Sequence, residues 1–152
     1  MLGIGGGGFL DMAGLAAATV RGKNGLAVPV DVEVGGLDPD ECDGLVIPGG
    51  WMPDKLRRYR SVTDFVAAIH GAHKPIGIIC HGGLVAISAR ILDGGRATGS
   101  LGIRDDLRNA GAVWVDEPAF REGNLVWGRI VEDIPAFCRE LVAALAEYRA
   151  TR

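Results

Sequence analysis

Histidine and cysteine are scarce in this chain, at three each in 152 residues, and that scarcity narrows the chemistry open to it. Cys42, Cys80 and Cys138 are odd in number and widely spaced, which excludes a disulfide framework and points to a reducing, cytoplasmic setting. No cysteine or carboxylate cluster of ligand spacing accompanies His70, His73 or His81, so no metal site is expected. His70 and His73 fall near an expected helix end, where a cation is favourable, and read as surface residues. Positive charge is also short: 16 Lys and Arg stand against 19 Asp and Glu, a net charge of −3. That balance gives no electrostatic footprint for nucleic acid. The one short basic patch, Lys55, Arg57, Arg58 and Arg60, reads as a solvated face. No apolar run is long enough, free of glycine, to make a membrane helix. Residues 1–20 carry Asp11 as their only charged side chain and lack the basic leader of a signal peptide.

Glycine is plentiful instead, with 24 residues, and 48% of the chain is hydrophobic, enough to fill the core of one domain. Gly3-Ile4-Gly5-Gly6-Gly7-Gly8 satisfies G-x-G-x-x-G formally, but only two residues precede it, so the strand that a dinucleotide fingerprint requires is missing. No cofactor is expected. The segment 1–20 reads as a glycine-rich, flexible lead-in with a short helix from Leu10 to Thr19. From Leu26 to Val34 alternation predicts a half-exposed strand, placed at an edge by Pro29. Leu45 to Ile47 and Ile76 to Ile79 are short apolar runs typical of buried parallel strands. Apolar positions 62, 65, 66 and 69 predict a helix over Ser61–His70, capped by Ser61. Further helices are expected from Leu84 to Leu92, from Arg104 to Ala110 and after Asp133, with Pro135 in the first turn of the last. Short strands are expected near Ala97, over Ala112–Val115 and over Leu125–Gly128. Strand and helix alternate, so the class is α/β with a mostly parallel sheet.

Two junctions carry chemistry. In Ile76-Gly77-Ile78-Ile79-Cys80-His81-Gly82-Gly83 a buried strand ends on a cysteine and runs into a helix, the setting of a nucleophile elbow. A helix amino terminus favours an anion, and the thiolate is the reactive form of cysteine. In Asp43-Gly44-Leu45-Val46-Ile47-Pro48-Gly49-Gly50 a second strand ends on paired glycines. Ligands collect at the carboxyl ends of parallel strands. Gly49 and Gly50 can therefore lie beside Cys80 and offer main-chain N–H groups to a developing oxyanion. Cys42 and Cys138 read as packing residues.

These segments, together with Arg104-Asp105-Asp106-Leu107-Arg108-Asn109-Ala110-Gly111, Trp114-Val115-Asp116-Glu117, Gly123-Asn124-Leu125-Val126 and Asp133-Ile134-Pro135-Ala136-Phe137, resemble the ThiJ/PfpI family. That family belongs to the class I glutamine-amidotransferase-like superfamily. The resemblance covers residues 21–152, beginning where Gly22-Lys23-Asn24-Gly25 is similar to the family's Gly-Lys-His-Gly. It implies a flavodoxin-like three-layer sandwich with Cys80 as nucleophile, His81 beside it, and Gly49, Gly50 and His81 around the oxyanion. Asp54 falls where the protease-like branch carries a glutamate that reaches a neighbouring subunit's Cys-His pair. Homodimers or hexamers are implied, and activity as a cysteine peptidase, a deglycase of glyoxal-modified proteins or a cofactor-free glyoxalase.

The departures from the pattern are local. The family's opening strand-helix-strand is not evident in 1–20, Ala13 stands where a glutamate bonds the nucleophile, and Ser100 stands for a tyrosine. A central strand lost there would leave a sheet flank exposed. An amidotransferase is disfavoured because no His-x-Glu follows late in the chain. The expected function is therefore a cysteine-dependent hydrolase or deglycase acting on small carbonyls or modified proteins. The alternative is a non-catalytic, redox-responsive or chaperone-like stress protein, whose exposed thiol oxidises.

Overall fold

In the computed structural model, residues 2–5, 10–16, 19–22 and 24–151 are described. The described residues form eleven strands and five α-helices, the strands leading in the first third and alternating with helices afterwards. They begin with β1 (Leu2–Gly5), β2 (Leu10–Gly14), β3 (Thr19–Arg21), β4 (Ala27–Pro29), β5 (Val32–Glu33) and β6 (Cys42–Ile47). Helices α1 (Met52–Leu56) and α2 (Arg60–Gly71) follow, then β7 (Ile76–Ile79), α3 (Gly83–Ser88), β8 (Arg96–Ala97), α4 (Arg104–Asn109) and β9 (Val113–Trp114). The chain closes with β10 (Ala119–Glu122), β11 (Leu125–Gly128) and α5 (Ile134–Ala150).

The main sheet has the order β10-β11-β7-β6-β1-β2-β5. At its centre β6, β7 and β11 are parallel, with Ile47 opposite Ile78 and Trp127 opposite Ile78 on the other side. Both faces of this centre are apolar, as strands covered on each side must be. Leu45, Ile47, Ile76, Ile78, Leu125 and Trp127 point into one cluster with the buried residues of α2, α3 and α4. Ile79 and Val126 join Phe137 and Leu141 of α5 in a second cluster on the opposite face. Three layers result.

Helix α5 lies close to its face because glycines floor the groove beneath it. A Cβ on Gly44 would come within 2.9 Å of Leu145, one on Gly77 within 2.8 Å of Phe137, and one on Gly128 within 2.9 Å of Phe137. These glycines stand on β6, β7 and β11 on one face, in a diagonal across it, since Gly77 is opposite Val46 and Val126. Burying Phe137 and Leu141 there contributes roughly 1.5–3 kcal/mol each.

The first fifth of the chain departs from expectation. Residues 10–14 form a strand where a helix was expected, and β1 pairs antiparallel with both β2 and β6. Gly14 would weaken a helix interior by about 1 kcal/mol relative to alanine, whereas the open side of β6 offers a row of backbone partners. The lead-in is therefore part of the sheet over Leu2–Gly5, while Gly6 to Gly8 and Phe9 lie outside the described residues. The flank expected to be bare of strands is occupied by β1, β2 and β5. β1 and β2 are antiparallel neighbours, whereas strands joined by a crossover helix are parallel. The strand expected over 26–34 is split: β4 pairs with β3 in a separate ribbon, and β5 lies parallel to β2 at the edge of the main sheet. Asp31 makes the join, its N–H donating to the Met12 carbonyl and its carboxylate accepting from the Met12 N–H at 2.8 Å.

Elsewhere the expected elements are found within a few residues, with local corrections, and α1 is a helix for which no expectation stood. Ser61 does not cap α2, whose first flanking residue is Tyr59. Helix α3 stops at Ser88, short of Leu92, and Arg90 turns the chain away with φ 57°. Residues 119–122 are a strand, β10, forming a hairpin with β11 through Gly123 at φ 58°. Asp133 precedes α5 but its carboxylate accepts from Arg129 at 2.9 and 3.2 Å instead of capping the helix. Asp133 first, then Asp116, holds the Arg129 guanidinium firmly protonated. Among the described residues no helix is long and apolar enough to cross a membrane.

Candidate active site

The site forms where β6 and β7 end side by side. Their parallel pairing carries Ile47 and Ile78 past each other in register, so the residues that follow, Pro48-Gly49-Gly50 and Cys80-His81, emerge together. Cys80 itself has φ 60°. An L-residue in this left-handed region is disfavoured by roughly 1–2 kcal/mol, so the neighbours must hold it there.

Three glycines do so by letting backbone come close. A Cβ on Gly49 would sit 2.6 Å from Cys80 Cβ and 3.0 Å from its Sγ. On Gly82 it would meet the Ile47 carbonyl oxygen at 2.4 Å, and on Gly99 the Cys80 carbonyl oxygen at 2.6 Å. That carbonyl also accepts a hydrogen bond from the Ser100 N–H at 3.3 Å. The loop after β8 therefore fastens the elbow at the Cys80 carbonyl, whereas Gly49 meets the Cys80 side chain. A short 3-10 turn over Cys80–Gly82 then feeds α3.

Cys80 is partly exposed, and its Sγ lies 3.3 Å from His81 Nδ1, a hydrogen-bond distance for sulfur. Among the described residues His81 is the one side chain bonded to that sulfur. The far nitrogen of His81, Nε2, is 3.4 Å from the point a Cβ on Gly102 would take. The Trp51 ring stands 5.6 Å from the imidazole, centroid to centroid, tilted by 45°. Gly50 has φ 75° and open space around the place of its absent side chain. Helix α1, which begins directly after Trp51, is tied to α3 by Arg57 Nε donating to Ser88 Oγ at 2.9 Å.

The expected site residues thus separate into two groups. Cys80, His81 and Gly49 are brought together, with Gly50 next along the loop. Asp54 sits in the first turn of α1 with a half-exposed carboxylate paired with Arg58, and neither Cys80 nor His81 is a partner of it. The basic patch is likewise engaged: Arg57 with Ser88, Arg58 with Asp54, Arg60 with Asp64 at 3.8 Å. Ala13 lies in β2, separated from β7 by β1 and β6. At about 4.8 Å per strand that is roughly 14 Å, too far for a side chain at position 13 to bond Cys80. Trp51, Gly99 and Gly102 carry no sequence signal of their own; only the fold shows them framing the elbow.

Away from the elbow, His70 differs from the surface residue expected. It is half-buried, with Nδ1 enclosed and unpartnered and Nε2 3.8 Å from Asp93. It lines a cavity of about 240 Å³ together with Asp93, Glu122 and Asn124. The Arg96 guanidinium, bonding Glu122 at 2.9 Å, holds that carboxyl below the usual carboxylate range. Among the described residues no group of three His, Cys, Asp or Glu is arranged to hold a metal ion. None of the three cysteines is in a disulfide.

Comparison with known proteins places this architecture. The deglycase PfpI of Pyrococcus furiosus is 37% identical over 134 residues, spanning 88% of this chain and 81% of that protein. General stress protein 18 of Bacillus subtilis is 44% identical over 129 residues, 84% of this chain and 75% of that one. Among solved structures, the two-domain protein of Anabaena variabilis with DJ-1/ThiJ/PfpI-like and ferritin-like domains superposes with a TM-score of 0.87 at 33% identity. The match covers 90% of this chain and 40% of that longer one. The ThiJ/PfpI domain protein of Brachyspira murdochii shares the fold, with a TM-score of 0.83 at 22% identity over 90% of this chain and 79% of its own. With residues 5–144 matching the family as a whole, and a cysteine elbow held between two strand ends, this chain belongs to the DJ-1/PfpI family.

Proposed function

We propose that the protein is a cysteine-dependent deglycase or related hydrolase acting on adducts of glyoxals with amines and thiols. The observation that carries the reading is the elbow: Cys80 held at φ 60°, with Sγ 3.3 Å from His81 Nδ1 and the Gly49 backbone pressed against it. The adduct releases its amine or thiol as its carbinol carbon collapses to the aldehyde, the hydroxyl proton going to the leaving group. Cys80 Sγ adds to that carbon, forming a C–S bond while the π pair moves onto oxygen and takes the thiol proton by way of His81. His81 then carries the proton of that carbon to the neighbouring ketone carbon through an enediol, and water cleaves the C–S bond of the resulting 2-hydroxy thioester, freeing the thiol. Main-chain N–H groups of the Gly49–Gly50 loop and of His81 face the oxyanion. Overall, a methylglyoxal hemiaminal and one water give the free amine and a 2-hydroxy acid, the aldehyde-level carbon being oxidised as the neighbouring ketone is reduced. No cofactor is required for that balance.

Asp54 enters this scheme through a second copy of the chain. Its carboxylate is half-exposed, and Met52 and Tyr59 beside it leave large apolar surfaces in water. A homodimer or hexamer that covers them would bring Asp54 to a neighbour's Cys80–His81 pair. A thiol kept in working form also suits a reducing, cytoplasmic setting.

The test is release of free amine from methylglyoxal-modified amino acids by the wild-type protein and by Cys80→Ala. The reading requires turnover that the substitution abolishes. Turnover that persists, or none in either protein while peroxide converts Cys80 to a sulfinic acid, would favour the redox-responsive alternative.

A further inference from the structure

The chain has three tryptophans, and they are treated very differently by the fold. Trp127 is completely buried and Trp114 is half-buried, whereas Trp51 leaves 78% of its surface in water. Tryptophan is highly buried on average, so Trp51 stands apart from the other two, though it is its place beside His81 that matters. This one is placed by the same loop that carries Gly49 and Gly50, and its ring stands 5.6 Å from the imidazole bonded to the reactive sulfur. One imidazole thus separates the indole from Sγ. The Gly50 position beside it is open, with no atom other than those of its chain neighbours within 4 Å of where a side chain would start.

We infer that Trp51 is a specificity-determining residue that selects arginine-derived adducts. The inference rests on the deglycase reading and names the substrate within it. An adduct of a dicarbonyl with arginine keeps a planar, delocalised cation fused to the carbons that react. Such a plane stacks on an indole face, gaining both cation–π attraction and apolar contact, and guanidinium is weakly hydrated enough to leave water for it. A thiol adduct is neutral and has no plane to stack. A lysine adduct carries its charge on a compact, strongly hydrated nitrogen.

The experiment compares kcat/KM for the methylglyoxal adducts of Nα-acetylarginine and N-acetylcysteine in wild type, Trp51→Ala and Trp51→Phe. The arginine-to-cysteine ratio should fall about five- to thirtyfold in Trp51→Ala and be largely kept in Trp51→Phe, whose ring still offers a face. A second readout needs no turnover. In Cys80→Ala protein, the Trp51 indole N–H resonance, identified by its loss in Trp51→Phe, should shift saturably with the arginine adduct and not with the cysteine adduct. A ratio unchanged in Trp51→Ala, or a resonance that either ignores the arginine adduct or answers both adducts alike, overturns the inference. If neither adduct is turned over by wild type and the resonance still answers the arginine adduct selectively, the deglycase reading fails and Trp51 remains a recognition site.

Discussion

Gly49 and Cys80 are packed so closely that position 49 admits no side chain: a Cβ there would lie 2.6 Å from Cys80 Cβ and 3.0 Å from Sγ. The two residues follow different strands, yet the sulfur's position is set as much by the absence of atoms at 49 as by the turn at 80.

Gly49→Ala should therefore displace the elbow. Misplacement of reacting groups by about 1 Å lowers rates on the order of 100-fold, and overpacking removes about 1–3 kcal/mol of stability. Alkylation of Cys80, followed by mass spectrometry of its peptide, checks the first effect, and thermal unfolding checks the second. Gly50→Ala is the control: it strains a backbone at φ 75° but meets no atom, so it should cost about 1 kcal/mol and leave alkylation of Cys80 near the wild-type rate. Equal behaviour of the two variants would contradict this account.

Gly77→Ala tests the groove under α5 without touching the elbow. Its added methyl would come 2.8 Å from Phe137 and 3.1 Å from Leu141. Destabilisation of about 1–3 kcal/mol by urea unfolding is expected. Phe137→Leu in the same chain should recover part of it by clearing room, and two losses that simply add would show that α5 is not seated on this glycine.

Acid stability should depend on Glu122. Arg96 bonds its carboxylate and depresses its folded-state pKa, so the ionised pair stabilises the fold above the unfolded carboxylate value of about 4.3 and is lost as pH falls through the lower folded value. The pair is partly exposed and screened by solvent, which limits it to about 0.5 kcal/mol. Calorimetry of Glu122→Gln should give a lower Tm than wild type near neutral pH and a difference that closes on acidification. A gap that stays constant into strong acid would show that the ion pair does not stabilise the fold.

The elbow and the central strands were legible in the amino-acid order because their signals are local. Ile76–Ile79 is an uninterrupted apolar run, and Cys80-His81-Gly82-Gly83 places a cysteine where such a run must turn. The amino-terminal strands were not legible. Gly3, Gly5 and Gly14 have weak preferences of their own, and β1 is a strand because β6 presents it with unpaired backbone. Helix α3 was overestimated because Ala89 to Leu92 keeps an apolar pattern beyond the point where Arg90 adopts φ 57°. Trp51 and Gly99 were missed for a third reason. Their importance lies in what they stand beside, and that proximity is created by parallel strands far apart in sequence.

The left-handed backbone at Cys80 carries one more consequence. Glycine is the residue that position accepts most readily, so a Cys80→Gly chain should relax there and resist heat better than its parent, while Cys80→Ala inherits the torsion. Durability and the keeping of a sulfur pull in opposite directions at this single Cα.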